Sequence, residues 1–303
     1  KRNAWQTRSV LYVRLIPPGA ADTAHFRVKI PKDAKGPITL NAKLNYRKFA
    51  WHYTQFAFEG MEKPDLPTIV LAKAEAKMEL GDTSDWKQVV RPEDYERWND
   101  WGIGMLLQGD LKGAEYAFKK VMEAKPDYAD GPLNVARALI QEGETDAAKP
   151  YLAKAAQLGP TLARVMFFQA MVDKADGNYD AAIAKLRNAA AQYPEDRVVL
   201  NQLGRLLFLK RDYGEAVRTL DRVLKVDPED LQAHYSLMLC YRGLGDAARS
   251  DKHAKLFQRF KADESSQAIT AKQRQLSPED NNERQMIHDH ESVPLSGALR
   301  AAR

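Results

Sequence analysis

A period of 34 residues constrains this chain more than any other feature. Pro126, Pro160, Pro194 and Pro228 recur at that spacing, and so do Ala114, Ala148, Ala182 and Ala216. Self-similarity at this period predicts an array of helix–turn–helix units, each burying its apolar face by stacking on its neighbours. Small residues let the two helices of a unit approach closely, and larger ones fill the groove between units. A proline after each second helix stops it and forces the turn to the next.

Trp98, Trp101 and Gly102 open the first unit, with Ala114, Phe118 and Pro126. The second carries Ala136, Ala148, Leu152, Ala155 and Pro160, and the third Ala170, Ala182, Leu186, Ala189 and Pro194. The fourth has Leu203, Gly204, Tyr213, Ala216, Leu220 and Pro228. Asp110, Gly143, Asn178 and Asp212 fall in the turns inside units, where caps are expected. A fifth unit starts near Leu231 with Leu237, Tyr241 and Gly245. Its Ala248 stands two residues before the position the period requires, which predicts a second helix out of phase, running on through Leu256, Phe257 and Phe260. His234 and His253 lie in this unit and read as surface or groove residues.

Residues 1–80 alternate with period two: Leu11, Val13 and Leu15; Phe26, Val28 and Ile30; Ile38 to Tyr46; and Val70 to Met78. Such alternation predicts half-buried antiparallel strands. Four strands cannot supply both halves of a sandwich, so the expected sheet is a partial β-sandwich whose apolar side needs a cover, from upstream sequence or from another chain. Phe49, Trp51, Tyr53, Phe56 and Phe58 read as core of that sheet. The resulting organisation is an α+β, mainly α chain: a β module over 1–80, a linker over 81–94, the helical array over 95–262 and an extended tail over 263–303.

Charge is uneven along the chain. The net charge is +5, but residues 1–80 carry 14 Lys/Arg against 7 Asp/Glu. A basic front module suits an acidic protein surface, and it is too dilute and too poor in clustered aromatics for a nucleic-acid site. No apolar run approaches the ~18 residues of a membrane span. The single cysteine, Cys240, excludes an internal disulfide and a multi-cysteine metal site. The chain opens on Lys1 without a signal peptide, as expected of a processed precursor or a part of a longer polypeptide.

The small, large and proline positions over about 95–262 resemble the tetratricopeptide-repeat (TPR) family. The resemblance implies a right-handed superhelix whose concave face, lined by the first helices, grips a peptide or protein segment. The family's usual ligand-facing positions correspond here to Asn99, Arg137, Phe167, Asn201, Arg205 and Tyr235. The pattern departs from the family's chaperone-tail clamp, which needs a fuller Lys/Asn/Arg set.

The stretches Gly36–Phe49, Tyr53–Phe56 and Leu66–Val70, with the tail segment Asp280–His290, resemble the C-terminal, non-haem part of certain bacterial multihaem c-type cytochromes that end in TPR repeats. This implies a periplasmic or extracellular protein tied to haem electron transfer. With no Cys-x-x-Cys-His, this chain holds no standard covalent haem, which would sit in a partner or an upstream domain. His288 and His290 are candidate axial ligands for such a haem, although two histidines in a polar tail are more simply solvated. His25 and His52 lie among strand residues.

No phosphate loop, nucleophile elbow or His-Glu-x-x-His motif is present, and the acidic residues sit at spacings that suit local ion pairs, so no catalytic or metal site is expected. The expected function is that of a non-catalytic protein-binding scaffold, docked to a multihaem cytochrome. The alternatives are a cytoplasmic TPR adaptor that captures a peptide and an accessory part of a larger oxidoreductase.

Overall fold

The computed structural model describes residues 21–24, 29–49, 54, 56–58, 67–81 and 89–261. They fall into two compact units, one holding the strands and the other the helices.

In the first unit β1 (Ile38–Tyr46) pairs antiparallel with β2 (Ile69–Met78). Opposed residues share a face, so the pairs Ile38–Met78, Leu40–Ala76, Ala42–Ala74 and Leu44–Ala72 form one apolar ladder. Thr39–Lys77, Asn41–Glu75 and Lys43–Lys73 form the polar one. The register slips between Leu44 and Asn45, where Leu71 is the extra residue. Half-burial does not follow from the alternation: every residue of the two strands except Ile38 is exposed. The expected sandwich is a two-stranded ribbon among the described residues, because no second layer lies on its apolar face. The proposed strand at Leu11–Leu15 and most of that at Phe26–Ile30 lie outside the described residues.

Two residues of the aromatic segment, Phe49 and Phe56, are also not sheet core. Phe49 and Phe56 are exposed at 44% and 42%. Around Phe56 the chain turns helically, with the Phe58 N–H donating to the Thr54 carbonyl. Trp51 and Tyr53 lie outside the described residues.

The second unit contains ten described α-helices: α1 (Tyr95–Gln108), α2 (Leu111–Ala124), α3 (Asp130–Glu142), α4 (Thr145–Leu158), α5 (Ala163–Ala175), α6 (Tyr179–Gln192), α7 (Arg197–Leu209), α8 (Tyr213–Val226), α9 (Leu231–Gly243) and α10 (Ala247–Phe260). Each even-numbered helix up to α8 ends two residues before its proline, as a helix stop requires. Ala114, Ala148, Ala182 and Ala216 are fully buried, and so are Phe118, Leu186 and Leu220. Aspartates 110, 212 and 246 cap the second helices by accepting backbone N–H bonds, whereas Asn178 makes no such bond.

The turn inside each unit holds one left-handed residue at the same spacing: Gly109, Gly143, Gly177, Arg211 and Gly245, with φ from 64° to 87°. Four glycines occupy it without strain, and Arg211 is the exception.

The fifth unit is in phase, against expectation. α10 stands 34 residues beyond α8, and Ser250, not Ala248, takes the small position. Serine is small enough to fit there, and its hydroxyl donates to the Met238 carbonyl oxygen at 3.0 Å, so burial leaves no polar group unpaired.

At the other end, residues that the sequence grouped with the β module lie against α1. Gln108 donates to the Asp22 carboxylate at 2.6 Å and to the Thr23 carbonyl at 2.5 Å, and Ala21 packs on the core of the first three repeats. Thr23 crowds the space beside Gly104 that a Cβ would need.

Candidate functional site

The first helices of successive repeats touch one another, α3 on α5 and α7 on α9. Polar side chains join them. Asn134 donates to Asn99 at 3.0 Å, Arg164 pairs with Asp130 at 2.9 Å, and Lys174 donates to Gln202 at 2.9 Å. These helices carry the sequence-derived candidates, but the structure puts those residues to different uses.

Asn99 and Asn201 are partly committed to holding the array together. Asn201 is buried at 4% exposure and donates to both carboxylate oxygens of Asp230, while its own Oδ1 is buried without a donor. Phe167 is half-buried, edge-on to Phe168 and packed on the core of repeats three to five. Tyr235 is 39% exposed and tilted against Phe257, with ring centres 5.4 Å apart.

Arg137 on α3 is different. It is 8% exposed and, among the described residues, makes no ion pair or hydrogen bond to a carboxylate. Burial and the neighbouring Arg164 guanidinium together push its pKa down to about 10. Lys174 is likewise pushed down, by burial and then by Arg205. Arg164 and Lys174 were not singled out from the sequence. Their signal was present only as two basic residues on α5, the helix that lies between Arg137 and Arg205 in the stack.

His234 and His253 are not surface residues. Their exposures are 2% and 9%, and the two Nδ1 atoms are 2.9 Å apart. His234 Nε2 lies 2.9 Å from the Pro228 carbonyl, which can only accept, so that nitrogen carries a proton. With both rings neutral, the remaining His234 nitrogen, Nδ1, accepts and His253 Nδ1 donates. Phe260 stacks on His234 and Tyr241 on His253, which explains the burial that the repeat pattern alone did not reveal.

Burial, with lesser contributions from His234 and Lys252, lowers the His253 pKa from 6.5 to about 4. The unfolded chain therefore binds a proton that the folded chain refuses, and stability is lost as pH falls from 6.5 towards 4. Discounted for the ring's residual contact with water, the loss is about 1–2 kcal/mol, a fall in Tm of roughly 2–6 °C. Thermal melts across that range check it. His253→Gln should flatten the dependence, and an equally steep profile in that variant would refute the assignment.

His288 and His290, the candidate haem ligands, lie outside the described residues, as do His25 and His52. Cys240 is fully buried, and burial pushes its thiol up to about 11, which keeps it protonated and unreactive. Among the described residues no group of three His, Cys, Asp or Glu side chains could hold a metal ion, and no helix is long and apolar enough to cross a membrane.

The sequence profile of the tetratricopeptide repeat matches residues 105–165 and 174–239. The BBSome complex member BBS4 of Bos taurus is 26% identical over 136 residues, which are 45% of this chain and 26% of that protein. This chain thus matches about a quarter of that relative's length. Among solved structures, pilF of Pseudomonas aeruginosa aligns with a TM-score of 0.52 at 16% identity, over 70% of this chain and 98% of that one. MamA of Desulfovibrio magneticus RS-1 aligns with a TM-score of 0.50 at 17% identity, over 56% and 98%. At these identities the structural likeness speaks for the fold alone. The profile marks tetratricopeptide repeats over those two stretches, and the ten described helices form a solenoid like that of such repeats.

Proposed function

We propose that this scaffold works outside the cytoplasm in an electron-transfer assembly. The β ribbon docks on a multihaem c-type cytochrome or on a haem domain of the same assembly, and the first helices of the repeats hold a protein segment. The observation that carries this reading is the uncovered apolar ladder of the ribbon. Leu40, Leu44 and Met78 on that face are exposed at 44%, 61% and 44%. A two-stranded ribbon is marginal in water on its own, and a contiguous exposed apolar face marks an interface. On its other face Lys43 stands directly opposite Lys73, an arrangement that an acidic partner surface would relieve. The resemblance of the ribbon and tail segments to cytochrome sequences supports the choice of partner. Haem would belong to that partner, since the one cysteine of this chain is buried and cannot form a c-type attachment.

The test is affinity purification of the chain from its native source after cell fractionation. Haem absorbance in constant ratio to the chain, in the extracytoplasmic fraction, is the expected result. Leu44→Asp should abolish it without changing helix content. A colourless monomer, or recovery from the cytoplasm with a bound peptide, would replace this reading with that of a cytoplasmic adaptor.

A further inference from the structure

We infer that α10 is an acid-released latch fastened by the His234–His253 pair: mild acid detaches it from α9 and uncovers the His234 and Tyr241 rings, while the earlier repeats stay folded.

α10 is held unlike its counterparts. One repeat earlier, α8 buries Ala216, Leu220 and Val223 beside Thr219. The buried residues of α10 are Ser250 and His253, both polar, and no α10 residue joins the apolar core of repeats three to five. α10 packs chiefly on α9. Its fastening is a set of ring contacts and two hydrogen bonds. The two Nδ1 atoms are 2.9 Å apart, and the Ser250 hydroxyl donates to the Met238 carbonyl at 3.0 Å. Tyr241 lies over His253 with the ring planes 16° apart, and Phe260 over His234 at 28°. A helix with so little aliphatic burial opens locally before the array unfolds.

The closed pair has little room for protons. His234 donates from Nε2 to the Pro228 carbonyl and accepts at Nδ1, so a further proton on this ring would set two N–H groups face to face across 2.9 Å. A further proton on His253 must go to Nε2. Burial resists it first, and the His234 ring and the Lys252 ammonium add to that, which holds the His253 pKa near 4. Once α10 swings away, both rings meet water. The open form then binds protons that the closed form refuses, and acid favours opening as pH falls below 6.5.

No neighbouring charge offsets this. Lys252 adjoins His253 on α10, after an exposed Asp251. On the α9 side the Arg249 guanidinium lies 4.6 Å over the Tyr241 ring and is bound by Asp246, and Arg242 is exposed. Arg259 lies 5.7 Å from the centre of the Phe260 ring. Before α9, Asp227 and Asp230 are held by Arg197. Among the described residues no carboxylate bonds to either imidazole.

The test is amide hydrogen exchange of the full chain, followed by mass spectrometry at about pH 7.5 and about pH 5, with protection corrected for the intrinsic effect of pH on exchange. The His253 shift alone would raise the open population about 30-fold between these conditions, or about tenfold after allowance for the ring's residual contact with water. Protection of α10 should therefore fall at least about tenfold, and that of α6 to α8 less than about twofold. An unchanged α10, or an equal loss in every helix, would overturn the inference.

His253→Asn keeps an amide donor for His234 Nδ1 and should cut the response to less than about threefold. Adding His234→Phe removes both titrating rings and should abolish it. A tenfold response that survives in the double variant would overturn the latch. Should either variant open α10 already at neutral pH, histidine NMR of the unaltered chain decides. His253 should leave the ring-current field of Tyr241 as it takes up its proton, at the pH where α10 loses protection. Midpoints more than about one pH unit apart would separate the two events and overturn the coupling.

Discussion

Phe118→Ala is expected to lower the unfolding free energy by about 3–5 kcal/mol. The Phe118 ring is fully buried and lies against Gly102 of α1 so closely that a Cβ there would stand 2.5 Å from the ring carbon Cε1. Glycine and ring are matched across the two helices of the first repeat. Deleting the ring leaves a cavity whose walls are helix backbone and other fully buried side chains, and these collapse poorly. In a solenoid the loss is felt by one repeat and its neighbour rather than spread evenly. Hydrogen exchange should therefore show α1, α2 and α3 losing more protection than α7 to α10. Chemical denaturation measures the total, and a loss below about 1 kcal/mol would mean that the ring is not held as described.

Asp230→Ala comes second, with an expected cost of about 2–3 kcal/mol. Its carboxylate performs three tasks. It caps α9 by accepting the Ala233 N–H at 2.8 Å, it accepts the Asn201 amide at 3.2 Å, and it pairs with Arg197 at 3.3 Å. The cap alone is worth about 1 kcal/mol. The remainder comes from leaving a buried amide of Asn201 without its acceptor, while Arg197 keeps Asp227 as a second partner. Because these bonds join repeat four to repeat five, the variant should fray from the C-terminal end. Exchange protection of α9 and α10 should fall before that of α5 to α8. Asp230→Asn keeps an oxygen for the cap and should recover part of the loss. A uniform loss across all helices would contradict this role.

The repeat architecture was legible because its determinants are local and recur. Ala114, Phe118 and Pro126 have counterparts at fixed spacing, and the helices begin and end where those residues require. The left-handed turn residues were legible in principle too, as glycines 109, 143, 177 and 245. Arg211 breaks that series in sequence while keeping its backbone conformation. The fifth repeat departs from the sequence expectation because alanine is not the one residue that fits the small position, and Ser250 meets the same requirement through size and one hydroxyl bond. The strands were legible as alternation, but alternation reports only that one face is apolar. It does not supply the layer that would bury Leu40 or Leu44.

The candidate site was less legible. Counting positions within a repeat located Arg137 and Arg205, but gave Asn99 and Asn201 the same standing, although both are engaged with the next repeat. The sequence by itself determined the period, the helix boundaries, the closely packed alanines and the excess of basic residues in the front module. Only the tertiary structure decided which charges are matched. The pairs that matter, such as Arg164 with Asp130, Arg187 with Glu215 and Arg197 with Asp230, join residues 34, 28 and 33 positions apart on neighbouring helices. A helix's own ion pairs form three or four residues apart and can be read along the chain. Arg137, which makes no ion pair among the described residues, carries no mark in the sequence that separates it from the paired Arg164 and Arg197.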